Sequence, residues 1–136
     1  MKSTGHIGVR ECEIFVPGIT GGIPFNHTFN QTGCNISGTE PIELLGPHVY
    51  LIEWSASINP VDPDATILMR VLLDDKPVQG SENFTDFTAK VEGFADLSGG
   101  AIVKVRSGVH ELRLEAITGE KGAVAINPNV RIVQII

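Results

Sequence analysis

The sequence is short of several things, and each shortage removes a class of protein. It has only two cysteines, Cys12 and Cys34, and no CxxC pair. Two thiols are too few to staple a disulfide scaffold. They read as unlinked thiols, with an intrachain or interchain disulfide as the alternative. No apolar run approaches the ~18 residues that a membrane-spanning helix needs, so membrane insertion is not expected. Positive charge is scarce: 10 basic residues stand against 16 acidic ones, scattered along the chain, for a net charge of −6. Nucleic-acid binding needs a clustered basic surface, and none is visible. The first residues, MKSTGHIGVRECEIF, lack the continuous apolar core of a secretory signal. The chain is then expected to stay where it is made, to have lost its export signal, or to be deposited by another route.

Catalytic and metal signatures are also missing. There is no GxSxG, P-loop, GxGxxG or HExxH. His6, His27, His48 and His110 are isolated, and no Cys/His spacing suits zinc. Neither cysteine has a flanking basic residue of the kind that activates a thiol. The expectation is a non-enzyme with no cofactor. Calcium is the one ion weighed further, because Asp62, Asp64, Asp74, Asp75 and Glu82 fall at loop ends where oxygen ligands could gather.

What is present is turn chemistry and alternation. The 15 glycines and 8 prolines favour short strands joined by turns over a helical bundle. In His48 to Ile58, Tyr50, Ile52, Trp54, Ala56 and Ile58 fall on one face, opposite Glu53, Ser55 and Ser57. A period of two marks a half-buried strand. Similar alternation predicts strands over 66–74, 87–95, 101–106, 110–118 and the closing NVRIVQII. Shorter strands are expected at 11–16, 42–45 and 123–126. Turn signals separate them, among them Pro17-Gly18, Gly21-Gly22, Gly46-Pro47, Gly99-Gly100, Ser107-Gly108 and Asn127-Pro128. Length and pattern together predict one all-β domain over 1–136, with 1–22 as an N-terminal arm and first strand.

The stretch LLDDKPVQGS tests the non-enzyme reading, since Asp74 and Asp75 could be a catalytic or metal-binding pair. Neighbours on a strand point to opposite faces. Pro77 fixes its own φ and keeps Lys76 extended, and Gly80-Ser81 marks another turn. The pair therefore reads as the polar tip of a hairpin. Four Asn-x-Ser/Thr sites, at Asn26, Asn30, Asn35 and Asn83, read as polar surface positions, three of them in one loop.

Two strands are apolar on both faces. Ile67, Met69, Val71 and Leu73 oppose Leu68 and Leu72; Val130, Ile132 and Ile136 oppose Val133 and Ile135. In a two-layer sandwich one face should meet water, so a second apolar face needs a cover. A copy of the same chain is the simplest one, and loops of the same chain are the alternative. The expected contact residues are Ile67, Met69, Val71, Val133 and Ile135. Glu111, Arg113 and Glu115 would add interchain salt bridges along the axis, unless they form a solvated face. Ending on Ile135-Ile136 suggests a tucked-in C-terminus.

The order LL-D-D-K-P-V-Q-G-S, then AIVKVRSGVHELRL, then VRIVQII, with IELLGPHVYLIEWSASI before them, resembles the C-terminal heads of bacterial collagen-like exosporium glycoproteins. The resemblance spans roughly residues 23–136. It implies a jelly-roll sandwich of about ten strands, like those of the tumour necrosis factor and complement component q superfamily, assembled as a homotrimer. It further implies a rigid structural or interaction head on a spore or cell surface layer, with other surface-layer proteins or glycans as partners. The alternative is a carbohydrate- or protein-binding adhesin using loops of the trimer. No collagen stalk is present, and His110 stands where such heads often carry a small or acidic turn residue.

Overall fold

The structure is a computed structural model, and it describes residues 2–17, 21–60, 66–86, 95–119 and 121–136. All regular structure in the described residues is strand: β1 Thr4–Gly8, β2 Glu13–Val16, β3 Gly21–Gly22, β4 His27–Thr32, β5 Ile36–Ser37, β6 Ile42–Pro60, β7 Thr66–Leu73, β8 Lys76–Pro77, β9 Asn83–Asp86, β10 Ala95–Ile117 and β11 Ala123–Gln134. The predicted strand over 87–95 lies, apart from Ala95, outside the described residues, as does the turn signal at 62–64.

Two of these strands, β6 and β10, are long enough to belong to both layers of a sandwich. In the first layer the order is β4, β1, β11, then 48–60 of β6, then 95–105 of β10. β2 takes over from β1 along β11, where Ala123 pairs with Val16. In the second layer β5 pairs with the start of β6, that segment pairs with 108–112 of β10, and β10 then pairs with β7. β8 and β9 close the far side of β7. All pairings are antiparallel, and the result is the all-β jelly roll that the sequence predicts.

The alternation holds almost residue for residue. Tyr50, Ile52, Trp54, Ala56 and Ile58 are all buried, and so are Leu112, Leu114 and Ala116. They meet Ile7, Val130 and Ile132 of the first layer and Ile36, Ile42, Ile67, Met69 and Val71 of the second in one contiguous core. At ~1.5–3 kcal/mol for each large apolar side chain taken out of water, this interior is what holds the layers together.

Several expected turns are not chain reversals. Gly46-Pro47, Gly99-Gly100, Ser107-Gly108 and Asn127-Pro128 all lie inside strands. At two of these places one strand carries an extra residue against its partner. Val105 pairs with His48 and Gly108 with Gly46; Ile126 pairs with Ser57 and Asn129 with Ser55. Such bulges bend a strand and sharpen its twist, and this is how β10 leaves one layer and enters the other. Gly21-Gly22, also expected as a turn, pairs with β10.

β2 and β11 belong to the first layer, whereas β7 and residues 110–117 belong to the second. Ile136 is 70% exposed, while its carbonyl oxygen accepts from the Val49 amide at 3.1 Å.

Candidate self-assembly face

The first layer turns one face to the core and the other outward. Register places the outward residues in rows across the strands. One row runs Thr32, Thr4, Val133, Leu51, Ile102. Ile102 is 66% exposed and Val133 43%, and Leu51 lies between them, half-buried. Three apolar side chains on three adjacent strands therefore form a stripe open to solvent. The next row is Asn30, His6, Arg131, Glu53, Gly100, and the one after it Asn129, Ser55, Ser98.

Small residues make the second half of this face concave. Ser55, Ser98 and Gly100 leave a shallow groove of about 410 Å³, flanked by Glu53, Asn129 and Arg131. The Asn129 amide donates to Ser55 Oγ at 3.1 Å. Ser57 Oγ donates to the Asp96 carboxylate in an adjoining depression. At the edge strand, Phe29 is exposed and packs against two imidazoles, with ring centroids 5.0 Å from His6 and 4.8 Å from His27. The His6 ring also hydrogen-bonds Asn129 Oδ1 at 3.2 Å.

The residues expected at a subunit contact are dispersed. Val133 lies in the apolar stripe and Ile135 is half-buried just beyond it. Ile67, Met69 and Val71 are buried inside the subunit and leave no surface for a neighbour. Glu111, Arg113 and Glu115 point outward from the second layer and are spent within the chain. Arg113 reaches Asp75 at 3.1 Å and Glu111 at 3.0 Å, and Arg70 reaches Glu115 at 2.8 Å. Leu51, Ile102, Arg131 and Phe29 were not anticipated. A signal for the first two was present, because each is an apolar residue on the otherwise polar side of an alternating strand.

Asp74 and Asp75 occupy the two-residue turn between β7 and β8, with φ of 51° and 63°. Two left-handed residues in succession are the geometry of a type I′ hairpin turn, which Asp tolerates. Their carboxylates are engaged by protein donors. Asp74 accepts from the Glu111 amide at 2.9 Å and from His110 at 2.7 Å, and Asp75 from Arg113. Those amide and imidazole hydrogen bonds hold the Asp74 carboxyl below the ordinary carboxylate range, the amide contributing most. Among the described residues no three His, Cys, Asp or Glu side chains gather closely enough to hold a metal ion. Cys12 and Cys34 are both exposed and unlinked.

No family model matches the chain, and no curated protein is significantly similar to it. Solved structures are. Murine APRIL superposes with a TM-score of 0.70 at 8% identity, covering 99% of this chain and 100% of that one. The globular domain of zebrafish complement 1qA gives 0.68 at 14% identity, covering 100% and 98%. The chain has the tumour necrosis factor and complement component q jelly-roll fold. Eiger TNF from S. frugiperda, with a TM-score of 0.63 at 10% identity and coverage of 99% and 93%, has it too. In this jelly roll the stripe of Val133, Leu51 and Ile102 lies outside the core, on the layer that contains β1, β4 and β11.

Proposed function

We propose that this chain is a non-enzymatic structural or interaction module that assembles with copies of itself as a homotrimer, through the outward face of the first layer. The observation that carries the proposal is the stripe of Val133, Leu51 and Ile102, open to solvent on three adjacent strands. Contiguous apolar surface in water is unfavourable, at roughly 25 cal/mol per Å² that could be buried. A partner of the same sequence is always available to cover it. A ring of three uses two different patches of each subunit, and this face offers two: an exposed edge at Phe29 and a small-residue groove at Ser55, Ser98 and Gly100. The sequence resemblance over residues 23–136 supports the trimeric order. It also supports a place on a bacterial spore or cell surface layer, where the trimer would act as a rigid head by packing alone, with the second layer and the loops left free for other surface-layer proteins or glycans.

Multi-angle light scattering on the purified chain tests this reading. The expected mass is three times the 14.6 kDa of one subunit. A well-folded single subunit at high protein concentration would overturn it. Binding of the assembled protein to immobilised glycans at micromolar ligand would favour the adhesin reading of its loops.

A further inference from the structure

The tip where β10 changes layer is fastened to the β7–β8 turn through one imidazole. His110 Nδ1 lies 2.7 Å from Asp74 Oδ2, and His110 Nε2 lies 2.9 Å from the Arg106 carbonyl oxygen. A carboxylate and a carbonyl can only accept. A neutral imidazole has one N–H and can serve one of them; the imidazolium has two and serves both. The rest of the tip depends on the same carboxylate. Asp74 Oδ1 accepts from the Glu111 amide at 2.9 Å, while the Asp74 amide donates to the Glu111 carbonyl at 2.8 Å. The Arg106 contact spans the bulge at Ser107-Gly108, so the ring bridges the bend of β10 as well as the turn.

Other charges nearby are accounted for. On the turn and β8 they are Asp75 and Lys76; on β10, Arg106, Glu111 and Arg113; on β6, Glu43, the ladder partner of Glu111. Arg113 is engaged by Asp75 and Glu111. On the ladder His110 itself faces Leu44, an apolar neighbour. Asp74 is thus the anion in direct contact with the ring.

We propose that His110 is a protonation-dependent bolt: as imidazolium it ties the 106–110 bend of β10 to the Asp74 turn, and on losing a proton it releases one of the two. The released tip carries Val109 and Leu45, ladder partners that are 60% and 39% exposed, so their presentation to any partner would change with pH. The direction follows from the partners. The hydrogen bond to Asp74, and after it the one to the Arg106 carbonyl, raise the His110 pKa against the opposing effect of burial. A raised folded-state value means that the stabilisation is complete below the unfolded-state value and is lost as pH climbs through the folded one. Asp74, whose pKa is lowered, supplies its share above its unfolded-state value and loses it as pH falls through the folded one. The bolt is closed between these limits.

Imidazole nitrogen and proton NMR on the full chain tests this. At about pH 6, near the ordinary histidine value, both His110 nitrogens should carry protons. Asp74→Asn should weaken proton binding by about tenfold, lowering the midpoint by about one unit. Through the wild-type midpoint, hydrogen-exchange protection of the Asp74 and Glu111 amides should fall several-fold. In His110→Gln, which keeps a donor that does not titrate, protection should show no such step. An unchanged midpoint in Asp74→Asn, a singly protonated ring at about pH 6, or the same protection step in His110→Gln would overturn the proposal. Should Asp74→Asn fail to fold, the ring protonation and the His110→Gln comparison decide it.

Discussion

Ser81 shows how much of the interior is fixed by one small polar residue. Its hydroxyl donates to the Val78 carbonyl at 2.7 Å and accepts from the Val71 amide at 3.0 Å, and its carbonyl accepts from Trp54 Nε1 at 2.9 Å. The residue is fully buried, and without its hydroxyl the buried Val71 amide would lose its partner. Ser81→Ala is expected to cost about 1–3 kcal/mol, the usual penalty for leaving a buried amide unpaired, measured by urea unfolding. Gly99 lies against the same group. A Cβ there would stand 2.6 Å from the Ser81 carbonyl oxygen and 2.8 Å from Trp54 Nε1. Gly99→Ala should therefore destabilise by about 1–3 kcal/mol through overpacking, with a change in tryptophan fluorescence that Ser81→Thr at the same site need not share. Gly80-Ser81 reads as a turn from sequence, and Gly80 does have φ of 89°. The pairing of Ser81 with Trp54 does not read, because period and turn chemistry are local and this contact joins a loop to a strand distant in sequence. The same holds for Asp74 and Asp75, whose turn was legible and whose docking on His110, Glu111 and Arg113 was not.

At the scale of the elements, the two bends in β6 and β10 decide the topology. Gly46 and Gly108 are ladder partners there but are glycine for different reasons. A Cβ on Gly46 would lie 1.7 Å from the Arg106 carbonyl oxygen, a backbone atom that cannot swing away. At Gly108 nothing lies within 4 Å, and only φ of 109° resists a side chain. Gly46→Ala should consequently cost more than about 4 kcal/mol or prevent folding, whereas Gly108→Ala should cost about 1–3 kcal/mol of backbone strain. Thermal unfolding followed by circular dichroism would rank them, and a reversed order would refute this account of the corner. The dipeptides at these bends were recognisable as special backbone, but a bulge and a chain reversal use the same residues. Side-chain parity carries the difference. Buried positions are odd at Val103 and Val105 and even at Leu112 and Leu114, and odd at Ala123 and Ala125 but even at Val130 and Ile132. An extra residue within a continuous strand produces that switch, and so does a turn, which is why alternation predicted the core correctly and divided the strands wrongly.

For the whole molecule, the apolar excess of a strand has two outlets, the opposite layer or another subunit, and sequence cannot apportion them. Ile67, Met69 and Val71 look like Val133 in an alternating pattern. The first three meet the opposing layer, while Val133 faces away from it. If the stripe is a subunit contact, placing a charge in it should dissociate the assembly without unfolding the subunit. Ile102→Glu and Leu51→Lys are the variants to make, since neither side chain contributes to the contiguous core. The expected result is a mass of one subunit with an unchanged strand-rich circular dichroism spectrum. Arg113→Gln and Glu115→Gln, on the other layer, should leave the mass unaltered. Their ion pairs are partly solvated and contribute at most about 1 kcal/mol to subunit stability. Because the stripe itself carries no charge, the assembled mass should also persist at about 1 M salt, where screening acts within roughly 3 Å. A trimer that survives Ile102→Glu and Leu51→Lys but falls apart with Glu115→Gln would place the contact on the second layer instead.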